Sequence, residues 1–216
     1  MALTNKSDDR KFISILADGK MHMTVPEGTP GAVVRTYETS DGKTGQKTEM
    51  TYTELIGFIK GVSFMDGEYG TNFQVTVQDD DGSEPICLSL GTASNFGEDF
   101  MKKILAVDME KKVKIVPFSF DDEKTGKKKK GVTIYQKNAE GKSIRVPNFF
   151  YDAEVKVNIN GYPEPKMPKG KKTLSKDEWK AYFMTARLFL IEKITEHFKL
   201  GSSETEGTVK SEVDNW

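Results

Sequence analysis

From Leu55 to Lys137 apolar and polar residues alternate in short runs separated by turn signals, and this restricts the segment to a curled antiparallel sheet. Leu55-Ile-Gly-Phe-Ile-Lys-Gly-Val-Ser-Phe64 is a β-rich run holding two glycines. After the turn Met65–Gly70, Asn72–Gln78 alternates without a break. Asp79-Asp-Asp-Gly82 is a turn, and Pro85–Leu90 alternates again. A short helical segment, the run Lys112–Phe120, a lysine-loaded connection and Val132–Gln136 complete the series. Strand, strand, strand, helix, strand, strand is the order of a five-stranded Greek-key barrel of the OB type. Glycines inside the first strand suit one that bends sharply to close a barrel. The fold class expected is therefore mainly β.

Strand parity gives the core. Phe73, Val75 and Val77 point inward, leaving Asn72, Gln74, Thr76 and Gln78 outside; Ile86, Leu88 and Leu90 point inward, leaving Cys87 and Ser89 outside. Asn95-Phe-Gly-Glu98 offers a helix cap, and Phe96, Phe100 and Ile104 recur at helical spacing, so this helix plugs one end of the barrel.

The flanks are additions. Lys11–Leu16 and Met21–Val25 read as a hairpin, and Ala32–Glu38 with Lys47–Glu54 as a second. Arg35, Tyr37, Lys47 and Tyr52 in that second hairpin face either a ligand or solvent. Val146–Tyr151 is an apolar clamp and Val155–Ile159 an alternating run that extends the sheet. Gly161–Lys172 is a proline-rich basic connector. Ser175-Lys-Asp-Glu178 is a capping box opening a long helix, with Trp179, Phe183, Ala186, Leu190 and Ile194 on one stripe and its end marked by Lys199 and Gly201. Residues 1–200 form one domain, and 201–216 are expected to be a disordered acidic tail.

Composition excludes several classes. The chain is 216 residues with 36% hydrophobic and 30% charged residues, and no apolar run approaches a membrane span or a signal peptide. One cysteine excludes an internal disulfide, and with two histidines it cannot build an ordinary zinc site. There is no Walker loop, nucleophile elbow or zinc spacing, so no enzyme and no cofactor are expected. Asp79-Asp-Asp81 reads as a turn rather than a metal site. Ser202–Trp216 holds four acids against one lysine, −3, so the remainder of a chain with net charge −1 carries +2.

A basic, aromatic barrel surface points to single-stranded nucleic acid, where cations neutralise phosphates and rings stack on bases. The basic candidates are Arg35, Lys60, Lys114, Lys127, Lys128, Lys129, Lys130, Lys137 and Arg145. The lysine run Lys127–Lys130 is placed in the connection between the fourth and fifth strands, either a solvated tip or a loop that embraces a strand. The aromatic candidates are Tyr69, Phe73, Phe118, Phe120 and Tyr135. Parity sends Phe73 to the core and Tyr135 outward, which leaves Tyr69 and Tyr135 as the preferred stacking pair.

The words Leu55-Ile-Gly-Phe-Ile-Lys-Gly-Val and Gly67-Glu-Tyr-Gly-Thr-Asn-Phe73, the closing helix after Leu90, and an acidic tail ending in Trp216 resemble the bacteriophage-type single-stranded DNA-binding proteins. Members of that family commonly end in Phe; this chain ends in Trp. The resemblance implies binding of single-stranded DNA during replication, recombination or repair, in the cytoplasm of a bacterial host. It also implies recruitment of replication or repair proteins through Glu212, Asp214 and Trp216, with no membrane partner. A homodimer through the long helix stays open. So does the contrary class, a protein-interaction or virion-structural β-domain that binds no nucleic acid.

Overall fold

The structure, a computed structural model, describes residues 11–39, 42–68, 70–123, 125–168, 170 and 173–200. The hairpin strands are β1 (Lys11–Ile15), β2 (Met21–Thr24), β3 (Val33–Glu38) and β4 (Thr44–Tyr52). The central strands are β5 (Leu55–Gly67), β6 (Gly70–Gln78), β7 (Ile86–Gly91), β8 (Val113–Asp122) and β9 (Lys127–Lys137), with helix α1 (Asn95–Ile104) between β7 and β8. Then come β10 (Ser143–Arg145), the short β11 (Tyr151–Asp152) and β12 (Val157–Asn158), and helix α2 (Lys176–Phe198). The protein is mainly β. Ten strands form one mixed sheet in the order β10-β9-β8-β5-β6-β7-β1-β2-β4-β3, and β11 with β12 forms a separate ladder. All neighbours in the large sheet are antiparallel except β1 and β7.

The central strands lie β9-β8-β5-β6-β7, and their inward residues make the core: Ile59, Phe73, Val75, Leu88, Leu90, Ile115, Val132 and Ile134 are buried. Phe100, Met101 and Ile104 of α1 and Leu190 and Ile194 of α2 complete it. β5 bends through a bulge between Ile59 and Gly61, which places Lys60 as the extra residue. Gly57 lets β5 press on β6, since a Cβ there would lie 2.8 Å from the Gln78 carbonyl.

The sheet is open among the described residues. β7 turns its far edge to β1, not to β9, and β10 pairs with β9 at Tyr135–Lys137, with the Val146 N–H reaching the Ile134 carbonyl at 2.8 Å. α1 fills the gap. The Val132 N–H donates to the Asp99 carboxylate at 2.7 Å, and Lys103 donates to the Val132 carbonyl at 2.6 Å. Both Val132 backbone groups therefore point away from β8, which makes Val132 and its partner Pro117 a pair without ladder bonds between them. Pro117, which has no N–H, thus faces the side where β5 has ceased to pair, its contact with β8 ending at Ile115. Gly131 gives α1 room, since a Cβ there would sit 2.5 Å from the Asp99 carboxylate and 2.7 Å from the Phe118 ring.

Several expectations are corrected. β9 begins at Lys127 rather than Val132, so the lysine run is strand and not loop, with Lys127 opposite Asp122 and Lys128 opposite Asp121. The cap of α1 is Ser94, whose hydroxyl accepts from the Gly97 N–H; Asn95 is already helical. Cys87 and Gln74 are buried rather than outward, Cys87 beside its cross-strand neighbours Phe12 and Thr76. Val155–Ile159 does not extend the large sheet, because Val157 and Asn158 pair with β11. The clamp acquires a role: Phe150 lies 5.4 Å from Phe189 and 5.2 Å from Phe149, tying α2 to the body. The capping box of α2 is formed in both directions, but its stripe is buried only at Ala186, Leu190 and Ile194. Gly201 and the tail lie outside the described residues.

The hairpins are pinned by a buried carboxylate. Glu49, 4% exposed, accepts two hydrogen bonds from Arg35, each 2.8 Å. His22 lies 3.0 Å from Glu49 and 3.1 Å from Asp18 on its other nitrogen. The Arg35 bond holds the Glu49 carboxyl below the usual range against the opposing effect of burial, and His22 adds to it. Such a group stabilises the fold above its unfolded pKa and loses that contribution as pH falls through the folded one. Glu49→Gln is expected to cost about 1.5–3 kcal/mol in denaturant unfolding at neutral pH. The gap to the wild type should narrow below about pH 4; a gap constant down to acid would remove the charge from the account.

Candidate nucleic-acid interface

Register assembles a row of side chains on the outer face of the sheet. Ile56 of β5 pairs with Lys114 of β8, Lys114 with Tyr135 of β9, and Tyr135 with Arg145 of β10. Their chain neighbours Leu55, Val113, Ile115 and Ile134 are buried, so alternation turns this row outward. Phe58 lies on the same face two positions further along β5. Lys60 stands 5.0 Å and Lys112 5.6 Å from the Phe58 ring centre, and the Arg145 guanidinium 5.9 Å from that of Tyr135. Ile56, Phe58, Lys112, Lys114 and Tyr135, with Lys111, Lys137, Gly141 and Ser143, line a groove of about 700 Å³, and Lys60 and Arg145 stand over its two rings from beside it. Its floor is apolar and aromatic: Ile56 is 43% exposed, and Phe58 and Tyr135 are half-buried. Its rim sets Lys111, Lys112, Lys114 and Lys137 against a single acid among the described residues, Glu110.

The cations fall into two kinds. Lys114 pairs with Glu54 at 2.5 Å, Lys111 with Asp108 at 2.8 Å, and Lys112 with Asp79 at 2.7 Å and Asp80 at 2.9 Å. Lys60, Lys137 and Arg145 make no ion pair among the described residues. The Lys112 hydrogen bond, with further bonds from Asp80, pulls the Asp79 carboxyl down to about 2. The same contacts raise Lys112. The Asp79-Asp-Asp-Gly82 turn thus also acts as an anionic latch at the groove edge.

Of the residues expected at a site, the fold brings Lys60, Lys114, Tyr135, Lys137 and Arg145 together. Arg35 is elsewhere, its guanidinium committed to Glu49. Lys127 and Lys129 share the outer face of β9 with Tyr135, whereas Lys128 and Lys130 alternate to the other; Lys129 pairs with Asp122 at 2.7 Å. Phe118 and Phe120 continue the outer face along β8, rings 5.7 Å apart, but Phe118 covers Gly131 while Phe120 is 51% exposed. Phe73 is core. Tyr69 and the tail residues Glu212, Asp214 and Trp216 lie outside the described residues. Sequence reasoning missed Ile56, Phe58 and Lys112, although the parity of Leu55-Ile-Gly-Phe-Ile-Lys60 carries the first two.

No protein-family model, no curated protein and no solved structure matches this chain. Among the described residues no helix is long and apolar enough to cross a membrane, and no group of three or more His, Cys, Asp or Glu side chains is placed to hold a metal ion.

The latch is directly measurable. In Lys112→Met the Asp79 carboxyl should move up toward an ordinary aspartate value, about 3.9, when followed by carbon NMR against pH. An unmoved Asp79 would leave Lys112 without the contact assigned to it.

Proposed function

We propose that the chain binds single-stranded DNA with little sequence preference, on the outer face of β5, β8, β9 and β10. The reading makes β5–β9 an OB-type barrel left ajar, with strands in that fold's order and α1 in place of the closing ladder. The observation that carries it is the groove lined by Ile56, Phe58, Tyr135, Lys112, Lys114 and Lys137, with Lys60 and Arg145 over its two rings. Each ring is covered by a cation at a distance where the attraction is modest, about 0.5–1 kcal/mol in exposed places. A base that takes the ring face displaces the cation toward the adjacent phosphate, so both partners gain a new contact. Stacking contributes roughly 1–3 kcal/mol per base and reads no base edge, which accounts for sequence tolerance. A duplex hides those base faces. Lys127, Lys129 and Phe120 extend the same strip along the β8–β9 hairpin, where further nucleotides can lie. Single-strand protection in replication, recombination or repair, with the acidic tail recruiting partner proteins, completes this reading.

The test is a titration of labelled single- and double-stranded oligonucleotides at two salt concentrations. Phe58→Ala and Tyr135→Ala should each weaken single-strand binding by the equivalent of about 1–3 kcal/mol and leave the salt slope unchanged. Replacing Lys60, Lys137 and Arg145 together by alanine should lower the slope by about 2, at roughly 0.7 for each phosphate that is no longer neutralised. Asp79→Asn with Asp80→Asn should tighten binding, because it frees Lys112 and removes two anions from the groove edge. Absence of salt-sensitive binding would favour the protein-interaction reading, which is supported by Val33 and Val34, 54% and 61% exposed on the edge strand β3.

A further inference from the structure

α2 carries one apolar stripe, but the body covers only part of it. Trp179, Phe183, Ala186, Leu190 and Ile194 recur at helical spacing on one side. The last three are buried, whereas Phe183 is 48% exposed and Trp179 only partly buried, because the first turns of the helix run past the edge of the core. Met184, 53% exposed, widens the uncovered area. Trp179 and Phe183 stack on each other with ring centres 5.6 Å apart, an aromatic pair on the surface rather than inside it. Lys176, Lys180 and Arg187 surround them, with Asp177 the single acid lining a groove of about 730 Å³. An uncovered apolar patch continuous with the core, with a positive rim, fits an aromatic, acidic peptide.

We infer that this groove is a docking site for the chain's own carboxy-terminal segment, Val209–Trp216. That segment supplies Val213 and Trp216 for the apolar floor and Glu212 and Asp214 for the cationic rim. Reach is ample. The helix from Phe183 to Leu200 is about 25 Å long at 1.5 Å per residue, and the chain from Leu200 to Val213 spans up to about 43 Å at 3.3 Å per residue. A second copy is the poorer occupant. Antiparallel packing about Phe183 and Met184 would set Lys180 of one chain against Arg187 of the other. Docking holds the tail away from other proteins until one of them competes for it, and it does not depend on nucleic-acid binding.

The chain's two tryptophans, Trp179 and Trp216, lie on opposite sides of the proposed contact, which makes it directly observable. In full-length Trp216→Phe, Trp179 is the sole emitter and should be shielded from acrylamide. Adding Glu212→Lys with Asp214→Lys, or instead Lys180→Glu with Arg187→Glu, should raise the quenching constant about twofold as a half-covered ring is opened. Salt of about 1 M, where screening reaches about 3 Å, should act in the same direction. Combining both reversals should restore shielding, an outcome that simple loss of a folded helix cannot produce. Equal quenching in all these proteins would overturn the inference. So would shielding that survives reversal of the tail acids and grows with protein concentration alongside a doubled mass, which would assign the groove to a second copy.

Discussion

Among the described residues the backbone of Val132 meets no strand, and much of the architecture follows from how that is resolved. A buried amide and carbonyl left unpaired cost about 1–3 kcal/mol each. Here the side chains of Asp99 and Lys103 meet them from α1, held 2.7 Å from each other as well. The helix can then stand where a ladder between β7 and β9 would otherwise close the sheet, with Phe100 and Ile104 buried beneath it. Gly131 is needed because α1 comes so close, and Phe118 folds over the space that Gly131 leaves. With the gap plugged by a helix, the far edge of β7 is free to take β1.

The proposed binding face depends on the same arrangement from the other side. β5, β8 and β9 send their branched apolar residues to the plugged interior, and the alternate positions then gather Ile56, Phe58, Lys114 and Tyr135 outside. Lys60 and Arg145 sit beside the rings and, with Lys137, make no ion pair among the described residues, whereas Lys112 is held by the Asp79 turn. The groove is thereby tuned by its own acids. That balance accounts for a nearly neutral chain carrying a locally positive surface.

Much of this was legible beforehand, for identifiable reasons. Alternation located β5 to β9 and the core residues Phe73, Val75 and Leu88, because a half-buried strand writes its period into the sequence. The capping box at Ser175 and Glu178 was readable because its chemistry is local. Residues whose environment is set by distant chain were misread. Cys87 and Gln74 lie on the face that parity calls outer, yet neighbouring strands bury them. The lysine run looked like a loop because lysine is a poor strand former, but Asp121 and Asp122 across the hairpin carry its ladder on. Arg35 read as a free cation because Glu49, its partner, is on another strand. The stripe of α2 was visible, but not the place where the body beneath it ends.

The parallel ladder between β1 and β7 has a consequence for the order in which the molecule can assemble. β1 joins its own hairpin locally, yet its other edge waits for Ile86–Ser89, far along the chain. The hairpins β1–β4 can therefore form early as a separate unit, but they cannot be built into the sheet until β7 exists. During synthesis that unit presents a strand edge with no neighbour, the kind of exposed template that favours mispairing. The seam between the two halves of the sheet is thus a late, long-range closure, and the slow step of folding is expected to lie there rather than within either half.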